Sequence, residues 1–260
     1  MIEPGDVLLE GRVAVVTGAA VGLGEAIALG LARFGCDVAI CDRDEENLKL
    51  TAEAVRAVGR EAITAVLDVR DEVAVGAFGE RISAEYGRVH VLVNNAGGTF
   101  QRPFLDMSAG AESAIVRENF TSVTNFVKTC APLMTDGGSI INLTSIEAHR
   151  ASPLGAVYGA MKAAVAHLSK TLAIELGGQR IRVNCIAPDF IPTPGLGGFD
   201  VPPPWTAIPR MGHTDDVVGA ALWLAGPLSS FVTGMTVHVD GGKIASGGWY
   251  RDDAGAYLCQ

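Results

Sequence analysis

Tyr158 and Lys162 stand four residues apart in Tyr158-Gly-Ala-Met-Lys162, and Ser145 precedes the tyrosine by thirteen residues. On a helix that step puts the phenol and the ammonium on one face, about one turn apart. A phenol ionises near about pH 10 and is a poor base at neutral pH unless a cation favours its anion. Two unit charges about 4 Å apart attract by roughly 4 kcal/mol at an effective dielectric near about 20. Such an attraction lowers a pKa by at most about three, and burial of the phenol takes part of that back. The pair therefore suits proton transfer at an oxygen, but only inside a built site. Taken singly, a tyrosine is a packing residue with a satisfied hydroxyl, and a strand-end serine is a turn residue.

A second group suits a phosphate. Thr17-Gly18-Ala19-Ala20-Val21-Gly22-Leu23-Gly24 carries the spacing Gly-x-x-x-Gly-x-Gly. A glycine-rich turn from a strand into a helix lets backbone approach a pyrophosphate, while the helix N-terminus supplies N–H donors and positive potential. The spacing is not the usual Gly-x-Gly-x-x-Gly, and a lone glycine cluster is as well read as a tight turn. Position decides for the nucleotide. The turn is the first strand-to-helix connection, and Asp42 ends the second strand about 20 residues on, where an acid accepts the adenosine ribose hydroxyls. That carboxylate would repel a 2′-phosphate, so NAD is favoured over NADP. Arg43 beside it reads as a solvated surface charge, or as a cation able to reach such a phosphate.

The elements that must position these groups alternate along the chain. Strands are predicted at Arg12–Thr17, Asp37–Cys41, Ala62–Leu67, His90–Val93, Ser139–Leu143, Ile181–Ile186 and Met235–Val239. Helices are predicted at about Gly22–Phe34, Glu45–Val58, Val73–Tyr86, a long Ser113–Met134, Val157–Leu176 and Thr214–Leu224. Continuous apolar strands separated by helices mean a parallel sheet covered on both faces. The fold class is α/β, a Rossmann-like doubly wound sheet of about seven strands in a single domain over residues 1–260.

Composition excludes other classes. Hydrophobic residues are 48% and charged residues 19%, enough apolar mass for a core without disulfides or metal. A net charge of −9 with no basic stripe argues against a nucleic-acid partner. Cys36, Cys41, Cys130, Cys185 and Cys259 are odd in number and scattered, and read as reduced thiols. No His or Cys spacing suggests a metal site. No apolar run approaches the roughly 18 residues of a membrane span, and the N-terminus is unlike a signal peptide, so a cytoplasmic protein is expected.

Together these pieces resemble the short-chain dehydrogenase/reductase family over nearly the whole chain. The resemblance rests on Thr17–Gly24, Asp68-Val69, Asn94-Asn95-Ala96-Gly97, Asn119, Ser145, Tyr158 with Lys162, Arg182-Val183-Asn184, Pro188 with Thr193, and Asp240-Gly241-Gly242. It implies hydride transfer with Tyr158 as general acid/base, its pKa lowered by Lys162 and the nicotinium ring. Ser145 would clamp the substrate oxygen, Lys162 would hold the nicotinamide ribose, and Asn119 would hold a water that relays protons. Gly18, Gly22, Leu23 and Gly24 would cradle the phosphates. Asp42 and Arg43 would face the ribose, Asp68 and Val69 the adenine, and Asn95, Ala96 and Gly97 would lie along the cofactor. Pro188, Ile191 and Thr193 would border the nicotinamide end. One departure stands out: Asp189 follows Pro188 where the family usually has glycine. Tetramers are common in the family, so a homo-oligomer is implied.

The segment from about 189 to 212 follows the sixth strand and is expected to cover the site as a lid. It holds Phe190, Ile191, Leu196, Phe199, Val201, Trp205 and Ile208. These suit a non-ionic alcohol or ketone, alicyclic or steroid-like, or else they pack on their own domain or a neighbouring subunit. Glu147 and His149 follow Ser145 closely, as candidates for the same pocket. The tail from about 245 to 260 carries Trp249, Tyr250 and Tyr257, and either packs across an interface or trails as a disordered end. The reading is an NAD-dependent oxidoreductase of secondary alcohols or ketones. The alternatives are a 3-oxoacyl-carrier reductase and, from another class, a catalytically silent nucleotide-binding regulator.

Overall fold

Seven short apolar segments pair in parallel: β1 (Val13–Thr17), β2 (Asp37–Asp42), β3 (Ala62–Val66), β4 (Val91–Asn94), β5 (Gly138–Leu143), β6 (Ile181–Pro188) and β7 (Thr236–Val239). The strands lie in the order β3-β2-β1-β4-β5-β6-β7. The computed structural model describes residues 1–194, 206–252 and 254–259.

Successive side chains of a strand point to opposite faces, so each strand serves two cores. On β1, Ala14 and Val16 pack with α1 (Gly22–Arg33), α2 (Glu45–Ala57) and α7 (Thr214–Ala225). Val15 faces the other way, toward α3 (Glu72–Tyr86), α5 (Ser122–Cys130) and α6 (Ala156–Glu175). With helices on both faces, the chain is a single-domain, Rossmann-like α/β fold. The strand order reverses between β1 and β4, and ligands of such sheets bind outside the carboxyl ends at that switch. Among the described residues no helix is long and apolar enough to cross a membrane.

The long helix predicted at Ser113–Met134 is different in the structure. It begins with α4 (Ala109–Val116), because Ser108 caps it by accepting from the Ala111 N–H at 3.2 Å. A π turn, Arg117–Thr121, separates α4 from α5. The ladder opens there: Asn119 Nδ2 donates to the Ile115 carbonyl at 3.0 Å, and the Ser122 N–H reaches back to the Arg117 carbonyl. Pro132 lies in the 3-10 turn that follows Cys130 and ends the helix. The sixth strand runs two residues beyond the expected Ile186, because Pro188 still pairs with Val239.

Of the two readings of the tail, the disordered end is not what the described residues show. After a short α8 (Lys243–Ser246), β8 (Trp249–Arg251) and β9 (Tyr257–Cys259) form an antiparallel pair of their own. Of the lid, Leu196, Phe199, Val201 and Trp205 lie outside the described residues. Ile191 is buried in the core, whereas Ile208 is exposed.

Candidate active site

The cofactor end is built where β1 enters α1. Gly18 and Gly22 adopt φ of +65° and +70°, the left-handed region where a side chain is strained. Space is also short: a Cβ on Gly18 would lie 2.9 Å from the Ala96 Cα, and one on Gly22 would lie 3.1 Å from Thr193. Asn95 Nδ2 donates to the Thr17 and Gly18 carbonyls at 3.0 and 2.9 Å. The Thr17 hydroxyl accepts from the Asn95 and Ala96 N–H groups, both at 3.0 Å. The turn and the Asn94–Gly97 segment are thereby locked together. Val21, at the N-cap of α1, offers no side-chain cap, so the first N–H groups of the helix stay open to an anion. This donor set, with glycines where any Cβ would intrude, fits a dinucleotide pyrophosphate.

The adenosine side is more occupied than the sequence implies. Asp42 accepts from the N–H groups of Ala20, Arg43 and Asp44 at 3.0, 2.7 and 3.2 Å, so it braces the glycine turn. Arg43 is largely exposed and pairs at 3.4 Å with Glu118, which precedes Asn119. Asp68 is gripped by Arg70, whose fork of hydrogen bonds lowers its pKa to about 2. Val69 is buried in the core, which leaves its backbone rather than its side chain for a ligand. Arg70 went unremarked in the sequence, although an arginine two positions after an aspartate is a local signal of this pairing.

The chemical groups converge at Gly97. A Cβ there would lie 2.8 Å from Asn119 Oδ1 and 3.0 Å from Lys162 Nζ, so both polar atoms crowd the same backbone. Lys162 is buried, donates to the Leu143 carbonyl at 2.8 Å, and lies 5.5 Å from the centroid of the Tyr158 ring. Asn119 is fully buried. Its amide donates to the Gly98 carbonyl at 2.8 Å, and its oxygen accepts from the Gly98 N–H at 3.2 Å. The π turn places it there. Ser145 lies on the loop after β5, accepts from the Glu147 N–H at 3.2 Å, and hydrogen-bonds the Tyr158 hydroxyl.

The electrostatics correct one expectation. Burial pushes the Tyr158 phenol up; the Ser145 hydrogen bond draws it down, and the Glu147 charge adds to the rise. Burial thus outweighs any lowering of the phenol, and it also takes Lys162 down to about 8. Of the other expected cofactor residues, Pro188 ends β6 in the core, and Thr193 packs against Gly22. A cleft of about 570 Å³ lies between α1, α7 and Pro192–Pro194, behind the glycine turn rather than at Tyr158.

A doubly wound sheet, a nucleotide turn at its switch point and a tyrosine–lysine pair at its carboxyl edge define a dinucleotide-dependent α/β oxidoreductase. Comparison with known proteins narrows the class. The family model described as Enoyl-(Acyl carrier protein) reductase matches residues 18–243. The 3-oxoacyl-[acyl-carrier-protein] reductase FabG of Thermotoga maritima is 35% identical over 243 residues, covering 91% of this chain and 99% of its own. The structure of a 7 alpha-hydroxysteroid dehydrogenase complexed with NADH and 7-oxo glycochenodeoxycholic acid superposes with a TM-score of 0.89 at 32% identity, covering 93% of this chain and 98% of that one. A gluconate 5-dehydrogenase from Burkholderia cenocepacia J2315, in complex with NADP and tartrate, gives 0.87 at 34% identity over 93% and 98% of the two chains. The chain belongs to the short-chain dehydrogenase/reductase family.

Proposed function

We propose that this protein moves a hydride between NAD(H) and a neutral, largely apolar secondary alcohol or ketone, alicyclic or steroid-like in shape. The observation that carries the reading is the convergence of Ser145, Tyr158, Lys162 and Asn119 around Gly97, beside a turn fit for a dinucleotide. When bound, the nicotinamide supplies or accepts the hydride. The Tyr158 phenolate oxygen would take the alcohol proton in oxidation, and the resulting hydroxyl would return it in reduction. Ser145 Oγ would donate to the substrate oxygen as charge develops on it. Lys162 would support the phenolate and hold the nicotinamide ribose, and Asn119 would fix a water beside it as the path to solvent.

The remaining residues divide the cofactor. Gly18, Gly22, Leu23 and Gly24 would hold the pyrophosphate, Asp68 and Val69 the adenine, Asn95, Ala96 and Gly97 would lie along the cofactor, and Thr193 would bind the phosphates and the nicotinamide carboxamide. Pro188 and Ile191 would border the nicotinamide. Asp42 would accept the ribose hydroxyls, and its charge disfavours a 2′-phosphate. Arg43, largely exposed and paired with Glu118 at 3.4 Å, would face the same ribose. Asp42→Ala is expected to narrow the NAD-over-NADP ratio of kcat/KM by about tenfold, the effect of one charge interaction of about 1.4 kcal/mol. An unchanged ratio would mean that another residue reads the ribose.

A pH profile checks the acid/base pair. Burial holds Lys162 at about 8 and Tyr158 above its ordinary value, so the pair gives up its first proton near pH 8. Alcohol oxidation needs the pair short of one proton. Its kcat/KM is therefore expected to rise about tenfold per pH unit below that point and to level above it. Carbonyl reduction needs the protonated pair and falls over the range where oxidation has levelled. Oxidation that declines between pH 6 and 8, at about neutral conditions, would contradict this pairing.

The deciding experiment is turnover over a panel of secondary alcohols and ketones with NAD(H) and NADP(H), alongside a 3-oxoacyl thioester. The Thermotoga maritima relative favours a carrier-linked reductase as the second reading, and selective thioester turnover would establish it. Cofactor binding without turnover on any arm would favour the silent regulator. We further infer a cytoplasmic homo-oligomer, a tetramer, as membership of the family implies.

A further inference from the structure

Asp189 occupies the position where the family usually has glycine, directly after Pro188 at the carboxyl end of β6. The neighbouring strand β5 ends two residues before Ser145, and Leu143 pairs with Ile186, so the loops of Ser145 and Asp189 leave the sheet side by side. Glu147 and Arg150 lie on the Ser145 loop. Arg150 is forked onto Glu147, with Nε at 3.1 Å and Nη2 at 2.6 Å from the same oxygen. Asp189 receives two cations from opposite sides: Arg150 Nη2 at 4.0 Å and Lys243 Nζ at 3.9 Å. Its side chain is only 17% exposed. The other nearby carboxylate, Asp240, is engaged with backbone, accepting from the Gly242 and Ile244 N–H groups at 2.9 and 2.8 Å.

The cluster reaches the reacting group. The Glu147 N–H donates to Ser145 Oγ, and the Glu147 charge bears on the Tyr158 hydroxyl. Arg150 and Lys243 are thus paired with Glu147 and Asp189 in a cluster that meets Ser145 through the Glu147 N–H. Without Asp189, Arg150 keeps Glu147, but Lys243 loses the carboxylate beside it, and the cluster becomes more positive by one charge.

We propose that Asp189 sets the charge selectivity of the substrate site: by balancing Arg150 and Lys243 it admits neutral substrates and rejects carboxylates. The loose ion pairs fit this role. Arg150 is already held by Glu147 at 2.6 Å, whereas Lys243, 3.9 Å from Asp189, is close enough to be neutralised without being locked to it, so it is the cation for which an incoming anion would compete. Selectivity of this kind rests on a repulsive element as much as on an attractive one. The inference rests on the reading of this site as an alcohol or ketone site, and its test does not need turnover.

The experiment compares cyclohexanecarboxylate with cyclohexanecarboxamide, an anion and its neutral counterpart of similar shape. Their binding to the NADH-loaded full chain is measured by isothermal titration calorimetry. Asp189→Asn is expected to strengthen carboxylate binding by about tenfold relative to wild type, and carboxamide binding by less than about twofold. Asp189→Glu should retain the wild-type ratio. In the Asp189→Asn background, Lys243→Gln should reverse the gain, and added salt should erode it. Thermal melting and NADH affinity confirm that each variant is folded, and a melted Asp189→Asn leaves Asp189→Ser to carry the same comparison. The absence of a selective carboxylate gain, whether both probes bind equally or neither binds, overturns the proposal. The alcohol reading fails separately, when no alcohol or ketone is turned over; a carboxylate gain would still support Asp189 as the charge filter.

Discussion

Tyr158→Phe is expected to lower kcat by about 10²- to 10⁴-fold, the usual contribution of a positioned general acid/base, while the NAD dissociation constant stays within about twofold. The reasoning starts from what the substitution spares. The phenyl ring still packs over Lys162, 5.5 Å from Nζ, so the lysine keeps its cover and its 2.8 Å bond to the Leu143 carbonyl. Ser145 keeps the Glu147 N–H at 3.2 Å. Loss of one partly buried hydroxyl hydrogen bond costs about 1 kcal/mol of stability, too little to unfold the domain. What goes is the atom that carries the proton. The check is steady-state turnover of the best alcohol, beside cofactor titration of the same preparation. Turnover within about tenfold of wild type would remove Tyr158 from the acid/base role.

Gly24→Ala should have an effect of similar size, through geometry alone. Its backbone is ordinary helix, so strain in φ is not the issue. The added methyl would run into the Gly18 carbonyl oxygen and stand 2.5 Å from Asn95 Nδ2. A backbone carbonyl inside a locked turn cannot step aside cheaply, and Asn95 holds that turn through both of its amide hydrogens. Overpacking of this kind costs typically about 1–3 kcal/mol. Since the displaced atoms form the cradle, NAD affinity is expected to fall about 10- to 100-fold, with a lowered Tm. Gly76→Ala is the matched control: it is also helical, with nothing within 4 Å of its Cβ, and should hold or raise the Tm. Unimpaired cofactor binding in the Gly24 variant would mean that the turn yields more readily than its contacts indicate.

The strands were legible because buried parallel strands leave continuous apolar runs, and Val13–Thr17 is buried at every position. Ends were less so: β6 continues to Pro188, because the next N–H, that of Asp189, donates to the Val239 carbonyl at 3.2 Å, so the ladder to β7 does not need the proline's missing donor. The long helix misled for a different reason. Its apolar periodicity marks the α5 face, but the π turn is made by one asparagine bonding back to Ile115 and across to Gly98, a partner 21 residues away. No local pattern announces such a contact. The expectation for Tyr158 failed on the same ground. Spacing brings Lys162 to the phenol's face of the helix, while burial, which decides the sign of the shift, depends on the assembled chain. Asp42 and Asp68, read as ligand contacts, also bind their own chain: Asp42 accepts from Ala20, a tertiary partner on the glycine turn, while Asp68 pairs with Arg70, a local one. The tail was opaque because a two-stranded ribbon of three residues each has almost no periodicity to read.

The wide turn at Arg117–Thr121 also bears on which sequence changes this lineage can accept. The Ser122 N–H reaches back five residues instead of four, so the stretch from Ala109 to Cys130 contains one residue more than a straight α-helix over the same path. Everything downstream keeps its phase because of that residue. A purely α-helical course for the same sequence would rotate Val123, Phe126, Val127 and Cys130 by about 100° around the axis, out of the core they fill. Losing one residue within the turn would preserve that phase but take away the bulge that presents Asn119 to Gly98. Losing one anywhere else in the helix would scramble the packing. The bulge that carries Asn119 and the core are therefore coupled as one unit: insertions and deletions that surface loops tolerate would be opposed here from both sides.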